Sequence, residues 1–193
     1  ERSRGLGDVY KRQVVSDDAK EKMKNRKTPI ASFYANLMTF DGYYEKKWFP
    51  YTMPISDIYG LRAAFNLIAG DKTLYERHAR IGSATRAAVK EAGLKLHLQS
   101  GYSNTVTVFD IPECTDAKSI LDEMRTKYNI MLAGSSDELS EKVIRIGHMG
   151  ENARLEHMVP ALEALSATLT DLGVTLQGNL ADLFLKHYRE FQD

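Results

Sequence analysis

The sequence predicts an α+β fold, a small and mostly antiparallel sheet with helices on one face. Three observations carry that expectation. From Gly93 onward the apolar pattern runs in the order β, β, α, β, β, α, α, switching between a period of two and one of 3.6. Glycines at Gly93 and Gly173 stand where helical patterns end. Residues 14–54 carry no such order and stand outside the layer, as the remnant of something larger.

Val14 and Val15 read as the end of a strand, and Ser16 or Asp17 as the cap of a short polar helix over 18–25. Residues 29–54 form an aromatic, proline-bearing loop with Phe33, Tyr34, Tyr43, Tyr44, Trp48 and Phe49. From Ser56 a helix is expected, with Ile58, Leu61, Phe65 and Ile68 on one face, and Gly70-Asp71 interrupts it. A second helix spans 73–92 and stops at Gly93. Leu94, Leu96 and Leu98 alternate with Lys95, His97 and Gln99, the pattern of a half-buried strand. A second strand covers 105–111 and closes at Pro112; a helix over 116–128 is capped by Thr115 or Asp116. Short strands are expected at 129–133 and 142–147, with a loop at Gly134-Ser135-Ser136 between them. Leu155, Met158, Val159, Leu162, Leu165, Leu169 and Leu172 make one long helical stripe, and a last helix spans 179–190.

Composition narrows the function classes. The chain has 193 residues, 43% hydrophobic and 27% charged, as a globular protein should. Lysine plus arginine balances aspartate plus glutamate at 26 each, which gives no electrostatic case for nucleic acid or an anionic membrane. Cys114 stands alone, so no internal disulfide forms, and no Cys/His cluster has metal spacing. These features predict a reducing, cytoplasmic setting without a membrane span, signal peptide or metal site. Residues 1–13, ERSRGLGDVYKRQ, fit poorly with the rest of the chain and read as a truncated end or an assembly scar. The division expected is thus 1–13, a large-domain remnant and interface loop at 14–54, connecting helices at 55–92 and a small domain at 93–193.

Three stretches carry the chemistry. One is Val14-Val15-Ser16-Asp17-Asp18-Ala19-Lys20-Glu21-Lys22-Met23 with Arg26-Lys27-Thr28 and Ser32-Phe33-Tyr34. Another is Tyr51-Thr52-Met53-Pro54-Ile55-Ser56-Asp57-Ile58-Tyr59-Gly60-Leu61-Arg62, and the last is Val143-Ile144-Arg145-Ile146-Gly147-His148-Met149-Gly150. Arg145 lies mid-strand between two isoleucines, and a guanidinium there calls for a partner that a carboxylate matches bidentately. An edge arginine, or one paired to a local Asp or Glu, is the alternative. Thr52 precedes a proline and a helix start, where a hydroxyl and free N–H groups suit a phosphate oxygen or serve as an ordinary cap. His148 after the strand reads mainly as a structural hydrogen-bonder; His78, His97, His157 and His187 show no partners in the sequence.

In order and spacing these stretches resemble the class V aminotransferases of the alanine–glyoxylate and serine–pyruvate type, from about residue 14 to the C-terminus. The resemblance implies the small C-terminal domain of a fold type I pyridoxal-phosphate (PLP) enzyme with a fragment of the preceding large α/β domain. It implies that Arg145 binds the substrate α-carboxylate and that Thr52 reaches the cofactor phosphate of the neighbouring subunit in a homodimer. Phe49 stands where related enzymes often have a tyrosine. It further implies amino-group transfer between alanine or serine and glyoxylate or pyruvate. No lysine here has the setting of the Schiff-base lysine; Lys11, Lys20 and Lys22 do not take that role, so no catalytic residue is assigned. The chain alone is expected to be inactive and to expose apolar surface. The rival reading is a non-catalytic α+β module that binds a ligand or dimerises.

Overall fold

The structure, a computed structural model, describes residues 15–191. The expected scar at 1–13 and the strand residue Val14 lie outside them, and Val15 is not in a strand. Packing divides the chain into two units at the Gly70–Asp71 junction. That junction falls inside the stretch 55–92, whose second helix packs with the C-terminal unit.

In the first unit, α1 (Asp17–Lys24) is polar and buries no residue. Ser16 caps it, its hydroxyl accepting from the Ala19 N–H at 3.2 Å, and acidic residues occupy the first turn and basic ones the last. The aromatic loop then gathers on itself. Tyr34 stacks on Tyr51 at 5.5 Å, and Phe40 meets Phe49 edge-on at 5.4 Å beside the 3-10 turn Leu37–Phe40. Helix α2 (Ile55–Gly70) starts after Pro54, whose carbonyl accepts from Ile58 N–H at 3.0 Å. It buries nothing: Ile58 is 49% exposed, Leu61 57%, Phe65 66% and Leu67 74%.

The second unit holds α3 (Leu74–Glu91), β1 (Val106–Asp110), α4 (Ala117–Tyr128), β2 (Val143–Gly147), α5 (Leu155–Asp171) and α6 (Leu180–Glu190). β1 and β2 pair antiparallel, with Val108 opposite Arg145 and Phe109 opposite Ile144. The strands expected at 94–99 and 129–133 are each pared down to a single bridge, Leu96 to Phe109 and Ala133 to Arg145. The alternation at Leu94 and Leu96 is a signal of burial, which both residues have, and burial does not require a continued ladder. Beside the bridge, His97 N–H donates to Val108 O at 3.0 Å and Asp110 N–H to Lys95 O at 2.8 Å. Beyond it Leu98 is exposed.

One sheet face presents Thr107, Phe109, Ile144 and Ile146, all buried; the other presents Val108, Asp110 and Arg145, none of them fully buried, and at its end Val143, which is buried. Helix α3 packs on β1 and α6, α6 on α5, and α5 on α4. Phe109, Phe184, Ile81, Ile120 and Leu165 fill the interior between them. Asp116 caps α4 through Ser119 N–H at 2.9 Å and Ser119 Oγ at 2.7 Å.

The two glycine stops share one geometry. Gly93 has φ +88° and Gly173 φ +85°. The next residue closes the helix in each case, Leu94 N–H on Val89 O at 3.0 Å and Val174 N–H on Leu169 O at 2.9 Å. Arg80 fastens α6 to α3 through two hydrogen bonds to Tyr188 O, at 2.7 and 2.5 Å, with its guanidinium 3.7 Å from the Tyr188 ring. No helix among the described residues is long and apolar enough to cross a membrane.

Candidate functional site

The pleat of β2 puts Arg145 on the face opposite Ile144 and Ile146, and the residue is exposed. Its backbone is fixed on both sides: Val108 lies opposite it in β1, and it exchanges N–H···O bonds of 2.7 and 3.3 Å with Ala133. Its side-chain Nε donates to Gly134 O at 2.6 Å. No carboxylate among the described residues lies within ion-pair distance of the guanidinium, and neither Nη has a hydrogen-bond partner there.

The acid that β1 places on this face is already engaged. Asp110, two residues beyond Val108, accepts from Lys95 Nζ and His97 Nδ1, each at 2.7 Å. Partial burial raises its pKa, but the bonds from Lys95 and His97 outweigh it and hold the carboxyl below its ordinary value. This face therefore carries a neutralised acid and an uncompensated guanidinium, an arrangement suited to a small carboxylate.

The strand end beyond Arg145 is held by His148. This imidazole is fully buried, 0% exposed. Its Nδ1 lies 3.1 Å from Asn104 O, an acceptor only, so Nδ1 carries the proton. Nε2 then accepts from the Thr107 hydroxyl at 2.9 Å. Burial drives its pKa down to about 4, so the ring is neutral at pH 7. It works as a structural pin, as the sequence suggested. Gly150 N–H donates to His78 Nε2 at 3.1 Å, and His78 Nδ1 bonds Leu74 O at 2.7 Å.

The expectation that the other histidines lack partners is corrected here. His78 ties α3 to the loop after β2, and His97 bonds Asp110. His187 bridges Glu91 at 2.6 Å and Glu190 at 2.8 Å, and His157 comes within 3.9 Å of Glu156. The partners of His78, His97 and His187 lie far off in sequence or on another element, where periodicity does not reach. Cys114 is exposed.

Thr52 belongs to the first unit. It is exposed, and its hydroxyl has no hydrogen-bond partner among the described residues. Pro54 rather than Thr52 supplies the carbonyl that starts α2, so Thr52 is not the helix cap. A free hydroxyl beside a helix N-terminus is an arrangement that suits a phosphate oxygen. Trp48 is exposed, while Phe49 packs on Phe40 and on Tyr43. The contact that sequence reasoning missed is the one from Gly134: a backbone carbonyl leaves no trace in residue type.

No family model matches the chain. The curated relatives do. A serine–glyoxylate aminotransferase of Methylorubrum extorquens is 36% identical over 179 residues, 88% of this chain and 43% of its own length. An uncharacterized aminotransferase of Methanocaldococcus jannaschii is 34% identical over 164 residues, 83% of this chain and 42% of its own. Among solved structures, pyridoxamine–pyruvate aminotransferase from Mesorhizobium loti superposes with a TM-score of 0.80 at 30% identity, covering 92% of this chain and 47% of that one. In sequence and fold the chain is similar to PLP-dependent aminotransferases of class V. It spans less than half the length of the relatives it matches, consistent with their C-terminal part.

Proposed function

We propose that the chain is part of an aminotransferase moving an amino group between a small amino acid, alanine or serine, and a small 2-oxo acid, glyoxylate or pyruvate. The observation that carries this reading is the exposed Arg145 guanidinium, without an acidic partner among the described residues, on the sheet face opposite Ile144 and Ile146. Arg145 takes the α-carboxylate of either substrate, fixing the distance of the α-carbon from the strand. His148 keeps the strand end in place without charge of its own. Thr52 would hold the phosphate of PLP in the neighbouring subunit through its hydroxyl. When bound, the cofactor supplies the electron sink for chemistry at the α-carbon.

In this reading the enzyme is a homodimer. The apolar side chains that α2 leaves exposed, Leu61 and Phe65 among them, support an interface in the first unit. None of the lysines in this chain takes the Schiff-base role, so the chain by itself binds a carboxylate and transfers nothing. The rival reading, a non-catalytic module, rests on the second unit having its own core; the aminotransferase relatives favour the enzyme.

Titration of pyruvate into the purified chain, followed by NMR, tests the site. Saturable binding that Arg145→Gln abolishes is the expected result. Equal binding by Arg145→Gln would sink the proposal.

A further inference from the structure

A guanidinium can hold a carboxylate in two ways. Side-on, it uses Nε and one Nη; end-on, it uses both Nη atoms. The surroundings of Arg145 choose between them. Nε is occupied by Gly134 O at 2.6 Å, and both Nη atoms are without partners among the described residues. The carbonyl doing this does not belong to a loose loop. Gly134 directly follows Ala133, whose N–H and C=O both bond the backbone of Arg145 itself, at 3.3 and 2.7 Å. The arginine thus carries, on its own strand neighbour, the group that aims it.

We propose that residues 133–134 are the positioning element of the carboxylate site: the Gly134 carbonyl blocks side-on binding and presents the two Nη atoms as an end-on fork. This rests on the reading of Arg145 as the carboxylate receptor. The ligand class is a small monocarboxylate of the 2-oxo acid or 2-amino acid type. The element acts through backbone atoms, so side-chain size at 134 matters little. A Cβ there would meet only Leu121 Cδ1, at an ordinary 3.5 Å. Strand pairing at 133 matters instead, because it holds the carbonyl where Nε can reach it. A proline at 133 has no N–H to give Arg145 O.

The test uses the 193-residue chain and pyruvate as the probe. The Arg145 Nε–H resonance is assigned by its loss in Arg145→Lys, and its exchange with water is measured with and without pyruvate. The expected result is an Nε–H protected from exchange in the free protein and unmoved by pyruvate, while the Nη resonances shift to saturation. Ala133→Pro should lose that protection and weaken pyruvate binding by about tenfold through lost pre-organisation, with Ala133→Gly, which keeps the N–H, as its matched control. Should Ala133→Pro fail to fold, the wild-type exchange data still decide. An unprotected Nε–H alongside responsive Nη atoms would overturn the positioning role and leave the carboxylate reading standing. Nε–H shifting together with the Nη atoms would mean side-on binding and also overturn it. Nη atoms silent at saturating pyruvate would remove the carboxylate reading, and this inference with it.

Discussion

Replacing His148 with glutamine should remove a defined part of the acid sensitivity of folding. The ring is fully buried and neutral, with Thr107 donating to Nε2 and Nδ1–H donating to Asn104 O. Its pKa lies at about 4, below an ordinary value of 6.5. Between those two values the unfolded chain binds a proton that the folded chain refuses. Stability from this residue is thus fully present above pH 6.5 and is lost as the pH falls towards 4. At 1.36 kcal/mol per pKa unit the loss amounts to roughly 3 kcal/mol. Urea unfolding at steps from pH 7 to pH 4 measures it, with the His148→Gln chain as reference, because carboxylates titrating nearby contribute equally to both. The wild type should lose about 3 kcal/mol more than the variant over that range. Parallel stability curves for the two proteins would refute the buried, neutral histidine.

Other expectations rest on single features. Gly93→Ala forces a Cβ into a backbone of φ +88°, 3.4 Å from the Gln177 side chain, and should cost about 1–2 kcal/mol in denaturant unfolding. Asp116→Ala removes the bonds to Ser119 N–H and Oγ and should cost about 1 kcal/mol by the same assay. Phe184→Ala empties the contact between α6 and the core and should cost about 3–5 kcal/mol, enough to unfold the second unit at moderate temperature. Arg145→Gln, by contrast, should leave stability within about 0.5 kcal/mol, which separates a binding role from a structural one.

Local chemistry was legible in the sequence, and long-range partnership was not. Gly93 and Gly173 announced their helix ends because a left-handed residue is needed there; a short acceptor is needed at a cap, which narrowed the caps to Ser16 or Asp17 and to Thr115 or Asp116, and the structure has Ser16 and Asp116. The Ile58, Leu61, Phe65 and Ile68 pattern correctly marked a helix, yet a pattern names an apolar face without naming what covers it, and α2 buries none of the four. At Leu94 and Leu96 the alternation reported burial and overstated the ladder. Arg145 stood out because an arginine between isoleucines is chemically conspicuous. Its hold on Gly134 could not be read, since the partner is a carbonyl eleven residues away on a different segment. The histidine network escaped for the same reason: His78 reaches Gly150, and His187 reaches Glu91.

The outer rows of the sheet shrink to one bridge each, at Leu96 and Ala133, and that bears on solubility. A full-length outer strand would offer a foreign chain a row of open N–H and C=O groups on which to add itself. Here the rim on the Leu96 side is almost without such a row and carries the Lys95–Asp110 ion pair, a charge that an incoming apolar strand would have to bury. On the opposite rim, Ala133 spends its N–H and C=O on Arg145, and Gly134 O is taken by the arginine side chain. The backbone bond that aims the guanidinium also helps deny a growing aggregate its first template.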